Sequence, residues 1–257
     1  MIDIHTHILP ELDDGSASLE MSLSMARMAS SQGIRHMIAT PHHRNGRYVN
    51  DAAHIRDAAS RLNAELELRE IPLRIHEGQE IRVYKELLDD IVQAQTLAML
   101  NHSRYILLEL PSTSVPPNIL DLIYELRLLG KVPVLAHPER NAELLEAPDK
   151  LVRIIEAGML CQITSQSLQG TFGKKIKAMA WQLCKQQHVH VIASDCHNDG
   201  NRPPDLHLAY QLIESKLGLN YVEYLLSNAS RVLHNLEVTG YHTTSSKRLW
   251  KLWWRKG

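Results

Sequence analysis

The chain has 257 residues, 44% hydrophobic and 22% charged, which suits a soluble globular protein of one large α/β domain or two small ones. Lys and Arg total 28 against 29 Asp and Glu, so bulk charge gives no ground for a nucleic-acid partner. Histidine stands out at 15 and phenylalanine occurs once, so the core must be built from Leu, Ile, Val, Ala and Met.

Short β-branched or apolar runs alternate with longer helical patterns. "MIDI" (1–4) leads to "SLEMSLSMARMASSQG" (18–33), where Leu19, Leu23, Ala26 and Met28 form an apolar face and Gly33 a stop. "IRHMIAT" (34–40) precedes a helical stretch near 51–69, and "PLRIHEG" (72–78) precedes "VYKELLDDIVQAQ". "RYILLEL" (104–110) precedes "PPNILDLIYELRLLG", with prolines at the helix start and glycine at its end. "VPVLA" (132–136) precedes "PDKLVRIIEAG", and "MLCQIT" (159–164) precedes "FGKKIKAMAWQLCKQQ". "VHVIAS" (189–194) precedes "PDLHLAYQLIESKLG" and a last helix to about 236. Seven strand–helix units in one alternation predict a parallel sheet covered by helices, either closed into a barrel or open and doubly wound.

In both architectures chemistry collects at the carboxyl ends of the strands, where the loops converge. Strand one offers His5 and His7 there, strand two His42, strand three Glu80, strand four Glu109, strand five His137, and strand seven Asp195 and His197. Strand six offers only Gln162 and Ser165. The 29 acidic residues and 15 histidines make 44 of 257, so a three-residue window catches one about two times in five. Six strands in seven is well beyond that.

Each residue also has an ordinary reading. His5 and His7 can be two strand residues on one face, His42 and His43 a solvated turn, and Asp13 and Asp14 before Gly15 an Asx turn. Glu109 resists such a reading, because a carboxylate inside the apolar "YILLEL" must be paired or ligated. Taken together the set predicts a metal centre. Imidazole and carboxylate without thiolate suit Mn²⁺, Fe²⁺ or Zn²⁺, with Co²⁺ and Mg²⁺ as further candidates. Counting Asp14, nine candidate ligands are enough for two or three ions. Ions about 4 Å apart can turn a bridging water into a hydroxide that attacks phosphorus.

"IDIHTH", "DDGS", "ATPHH", "EGQEI", "LLEL", "AHPER" and "IASDCHNDGNRPP", in that order over residues 1–236, resemble the polymerase and histidinol phosphatase superfamily. More narrowly, they resemble the manganese-dependent bacterial tyrosine phosphatases of capsule and exopolysaccharide operons. The resemblance implies a distorted (β/α)7 barrel with a trinuclear centre. One ion would take His5, His7, Glu80 and Asp195; a second would share Glu80 and add Glu109 and His137; a third would take Asp14, His42 and His197. Many relatives have histidine where this chain has Glu109. The implied substrate is phosphotyrosine on a bacterial tyrosine autokinase that controls polysaccharide synthesis, the alternative being another phosphoester such as histidinol phosphate. A barrel that only binds phosphorylated partners is a third reading, disfavoured by a full ligand set.

Arg140 in "HPER" and Arg202 in "NRPP" lie three and five residues beyond His137 and His197, within reach of a bound phosphate whose oxygens a guanidinium fork matches. Surface salt bridging is the plainer alternative for both. Arg44 and Arg47 are lesser candidates. Cys196 and Arg202 also carry the C-x5-R spacing of thiolate phosphatases. However, "CHNDGNR" has one glycine and an aspartate where a phosphate-cradling loop needs bare N–H groups, and the thiol reading leaves the histidines without a purpose.

The three cysteines, Cys161, Cys184 and Cys196, make no disulfide framework, and an odd count suits a reducing compartment. "MIDIHTHILPELDDGS" lacks the basic and apolar regions of a signal peptide, and no stretch nears the roughly 18 apolar residues of a membrane span. A cytoplasmic protein is expected, with a metallophosphatase barrel over 1–240 and a tail over 241–257. The tail's "SSKRLWKLWWRKG" holds three of the four tryptophans and five basic residues with no acid. As a helix it would gather Leu and Trp on one face, as interfacial helices do on anionic inner-membrane lipid. Docking on its own barrel, or on a second subunit in a homo-oligomer, is the alternative.

Overall fold

A computed structural model describes residues 1–93 and 97–241. The chain runs β1 (Ile2–Thr6), α1 (Leu19–Ser31), β2 (His36–Ala39), β3 (His42–His43), α2 (Ala52–Leu68), β4 (Arg74–Glu77), β5 (Glu80–Arg82), α3 (Leu87–Gln93), β6 (Tyr105–Glu109) and α4 (Ile119–Leu128). It continues through β7 (Val132–Ala136), α5 (Ala142–Glu146), α6 (Pro148–Glu156), β8 (Leu160–Thr164), α7 (Ser165–Gln169), α8 (Lys174–Lys185), β9 (Val191–Ala193), α9 (His207–Leu217) and α10 (Leu219–Leu233).

All strand pairs are parallel, in the orders β1-β2-β4 and β3-β5-β6-β7-β8-β9. A bridge between Thr6 and Cys196 joins the free edges of β1 and β9. β3 carries on from β2 and β5 from β4, so nine strands make seven staves, closed into a barrel. The open doubly wound alternative is excluded.

The second and third staves run past the expected strands, 34–40 and 72–78, each resuming after a break as β3 and β5. Pro41 has no N–H to give the ladder and interrupts one. At the other break a Cβ on Gly78 would lie 2.8 Å from Ile38 Cγ2 and 3.0 Å from Leu100 Cδ2, so close packing there requires glycine. Two short helices, α5 and α7, lie between the expected strands and helices. The helix expected over "VYKELLDDIVQAQ" is described only as α3, and residues 94–96 lie outside the described part.

Alternation with a period of two sorts the apolar residues. Tyr105, Leu107, Val134, Ala136, Val191 and Ala193 pack together in the lumen, while Ile106, Leu108, Leu135, Cys161, Ile163 and Ile192 join the helices outside. Glu109 shares the parity of Tyr105 and Leu107, so its strand aims it into the mouth. α10 packs Ala229, Val232 and Leu233 against the lumen residues and the strand starts, closing the pole opposite the carboxyl ends. Residues 235–238 are fixed to that pole. Tyr105 Oη donates to Leu236 O at 2.5 Å and accepts from Val238 N at 3.0 Å, and Arg104 Nη2 donates to Asn235 O at 3.0 Å. The tryptophan-rich tail lies outside the described residues.

Candidate metal centre

The carboxyl ends of the staves bring all nine candidate ligands to one mouth. His5 is the last residue but one of β1 and His7 follows the strand, where the register with β2 slips between Asp3 and Thr6, an irregularity that re-aims side chains. His42 opens β3 and Glu80 opens β5, just past the two breaks, and Glu109 ends β6. His137 directly follows β7 and Asp195 lies two residues past β9, both in left-handed backbone, at φ 34° and 51°. Such strain in non-glycine residues, of order 1 kcal/mol or more each, gathers at functional sites.

Glu80 is the hub. It is fully buried, with Oε1 2.7 Å from His137 Nε2. Its Oε2 lies 2.8 Å from His42 Nδ1 and 3.4 Å from both His5 Nε2 and His7 Nε2. Asp195 Oδ1 is 3.5 Å from His5 Nε2 and 3.3 Å from His7 Nε2, and those two nitrogens are 3.2 Å apart. Asp14 Oδ1 is 3.5 Å from His42 Nε2 and 3.6 Å from His197 Nε2. Glu109 Oε2 lies 3.9 Å from His42 Nδ1.

Among the described residues these donors fall into four overlapping clusters: His7, Asp14, His42 and His197; His5, His7 and Glu80; His5, His137 and Asp195; His42, Glu80 and Glu109. His7 also groups with Asp14, His42 and His197, Glu109 groups with His42 and Glu80, and His137 groups with His5 and Asp195 while its Nε2 stays 2.7 Å from Glu80 Oε1.

The electrostatics fit cations. His42 Nδ1 and Glu80 Oε2 are 2.8 Å apart and buried, yet neither has a hydrogen-bond partner among the described residues. Misaligned lone pairs at that distance are what a shared ion would satisfy. Burial, then Glu80, pushes the Glu109 carboxyl up to about 7, against the pull of Arg82. A cation between the two carboxylates would relieve this repulsion. Burial also works against ionised Glu80, but His42 and His5 outweigh it and hold Glu80 well below the usual carboxylate range.

A second tier of residues aims the first. His7 Nδ1 donates to Asp13 Oδ2 at 2.6 Å, which also accepts from His42 N at 2.9 Å. Asp13 Oδ1 accepts from Gly15 N at 2.9 Å, the expected Asx turn. A Cβ on Gly15 would stand 2.2 Å from His7 O, so only glycine lets this loop cross His7. Gln162 Oε1 accepts from His5 Nδ1 at 3.0 Å. Both imidazoles thereby keep their Nε2 lone pairs for the mouth. Arg82 places Nε and Nη2 each 2.9 Å from Glu109 Oε2.

Of these partners Gln162 stands at an expected strand end, and it is how strand six joins the site. Asp13 is legible only through its turn. Arg82 had no signal, because nothing in the sequence shows that the third stave resumes after Gly78.

Arg140 and Arg202 line a cavity of about 290 Å³ beside the mouth, with Glu109, His137 and Ser112. Arg140 Nη1 and Arg202 Nη2 each lie 2.7 Å from Asp195 Oδ2. Burial raises the Asp195 carboxyl, but Arg140, His5 and Arg202 outweigh it and hold it well below its usual range. Arg44 instead turns toward Asp90 at 3.6 Å and stacks on Tyr84, while Arg47 covers Tyr48. Cys196 is fully buried, and burial and then Asp3 push its thiol up to about 12, so it offers no thiolate.

The family profile for capsular polysaccharide synthesis, CpsB/CapC, covers residues 1–234. The tyrosine-protein phosphatase YwqE of Bacillus subtilis is 46% identical over 235 residues, 91% of this chain and 92% of its own. The putative tyrosine-protein phosphatase CapC of Staphylococcus aureus is 35% identical over 239 residues, 93% of each chain. A crystal structure from the pair YwqE of B. subtilis and CpsB of Streptococcus pneumoniae, described as unique metal-dependent tyrosine phosphatases, superposes with a TM-score of 0.91. It is 44% identical and covers 94% of this chain and 97% of that one. A dihydropyrimidinase from Brevibacillus agri, 10% identical, shares the fold at a TM-score of 0.52 over 95% of this chain and 73% of its own.

Proposed function

The chain belongs to the CpsB/CapC family of capsular polysaccharide synthesis, and from that premise we propose that His5, His7, Asp14, His42, Glu80, Glu109, His137, Asp195 and His197 hold two or three Mn²⁺ ions with which it hydrolyses phosphotyrosine. It is a metal-dependent tyrosine-protein phosphatase. The observation that carries the ligand assignment is Glu80, a buried carboxylate ringed by four imidazoles with one oxygen unpartnered among the described residues.

Such ions supply Lewis acidity to phosphate oxygens and acidify water, the two needs of phosphomonoester hydrolysis. The remaining roles belong to side chains. Asp195 faces two ways, Oδ1 toward His5 and His7 and Oδ2 toward Arg140 and Arg202, which ties the arginines to the ligand cluster. Arg140 and Arg202 orient the phosphate and stabilise its charge. The leaving phenolate, with a pKa near 10, needs little protonation, so no general acid is assigned.

Mn²⁺ is supported by the mixed imidazole and carboxylate donors without thiolate. The substrate we infer is a phosphotyrosine protein of capsule or exopolysaccharide assembly, a bacterial tyrosine autokinase above all. The test is hydrolysis of a phosphotyrosine peptide before and after EDTA, with Mn²⁺ added back, beside Cys196→Ser. Loss with EDTA, recovery with Mn²⁺ and an active Cys196→Ser protein are expected. Activity indifferent to EDTA and abolished by Cys196→Ser would overturn the metal reading, and faster turnover of histidinol phosphate would reassign the substrate.

A further inference from the structure

The loop after the sixth stave supplies no ligand, yet it is tightly built. Gly170 and Gly173, at φ 101° and 97°, bracket Phe172, and Gly173 N closes the turn onto Gly170 O at 3.0 Å. Trp181 Nε1 pins its start by donating to Leu168 O at 3.0 Å. Two bonds stitch it to the loop that bears Arg202: Gln166 Nε2 to Asn201 O at 3.4 Å and Gln169 Nε2 to Asp205 Oδ2 at 3.0 Å.

The product of this construction is the placement of the chain's one phenylalanine. The ring of Phe172 lies 5.1 Å from the guanidinium carbon of Arg140 and 5.9 Å from that of Arg202. These two cations also converge on one oxygen, Asp195 Oδ2, at 2.7 Å each. Like charges held so close repel, and although Arg202 Nη2 also donates to Asp195 O at 3.0 Å, these contacts do not fix where the remaining N–H groups point. An aromatic face answers both needs, because it attracts each guanidinium and occupies none of its in-plane donors. One such donor, Arg202 Nε, is buried with no partner among the described residues, although Arg202 lines the cavity. A tetrahedral anion in the cavity would satisfy it.

We propose that Phe172 is a positioning residue for catalysis: its ring holds the Arg140–Arg202 pair with free N–H groups turned to the phosphate. The proposal rests on the assignment of these arginines to phosphate. Its test is inhibition by inorganic phosphate, with KM for a phosphotyrosine peptide, in the full-length Mn²⁺-loaded protein, comparing Phe172→Leu and Phe172→Tyr. Phe172→Leu should raise the phosphate inhibition constant and KM together by about tenfold, equivalent to about 1.4 kcal/mol. Phe172→Tyr, which keeps the π face, should restore both to within about twofold, with melting temperatures unchanged.

An unchanged inhibition constant in Phe172→Leu overturns the proposal. So does a raised KM with an unchanged inhibition constant, since the ring would then touch the substrate's own ring and not the arginines. Equal losses in the Leu and Tyr variants would mean a packing role and overturn it as well. Wild-type protein inactive on the peptide with Mn²⁺ would overturn the phosphatase reading, a failure visible before any variant is made.

Discussion

Asp13 is not among the clustered donors, yet one of its oxygens fixes two candidate ligands of the mouth. Oδ2 takes the Nδ1 proton of His7 and the backbone proton of His42, so one carboxylate sets the tautomer of one imidazole and the position of another. Asp13→Ala should therefore weaken Mn²⁺ binding and phosphatase activity by roughly 10- to 100-fold while leaving the fold intact. Metal titration beside circular dichroism checks this, and wild-type affinity would refute the orienting role.

The contrast with the nine candidate ligands shows what a sequence can convey about a site. Ligand-type residues at strand ends stand out, because strand ends recur along the chain and six strands in seven carry one. A partner such as Arg82 does not stand out. It reaches Glu109 only because β5 pairs with β6 in the register that sets Arg82 beside Glu109, and pairing between staves leaves no mark along the chain.

At the scale of elements, the β8–β9 pair depends on a neutral histidine. Cys161 N donates to His190 Nδ1 at 3.0 Å, so that nitrogen must carry a lone pair. Burial, then neighbouring His188, pushes the His190 pKa down to about 4 from an ordinary 6.5. Above pH 6.5 the residue is neutral in both folded and unfolded chains and the bond stands. As pH falls from 6.5 toward 4, the unfolded chain takes up a proton that the folded one refuses, and stability drops. His190→Asn, which keeps an acceptor without a titrating group, should lose less melting temperature over that window when both proteins are scanned in EDTA. Parallel curves for the two proteins would show that His190 is not responsible.

Elements were also the level at which sequence patterns blurred. The alternation of strands and helices was plain, but β3 and β5 are two and three residues long, too short for any periodicity to register. They are nonetheless the pieces that present His42 and Glu80.

Over the whole molecule, five imidazoles and four carboxylates gathered at one pole give metal binding leverage on stability. Ions that bind only the folded chain stabilise it by mass action, about 2.7 kcal/mol for one site at a hundred times its dissociation constant. At about 2–4 °C per kcal/mol for a chain of this size, saturating Mn²⁺ should raise the melting temperature by roughly 5–10 °C over the EDTA-treated protein. Scanning calorimetry with and without Mn²⁺ measures it, and identical transitions would mean that the mouth is not a metal site.

The barrel's polarity carries one more consequence. Tyr105 and Arg104 fasten residues 235–238 beneath the lumen, on the side that α10 seals. A tether attached within residues 235–238 therefore starts at the end of the barrel away from the substrate. Coupled to a bead, an electrode or a scaffold through that segment, the enzyme would stand with its opening outward. The same coupling through the loops that carry His197 or Arg140 would turn it face down.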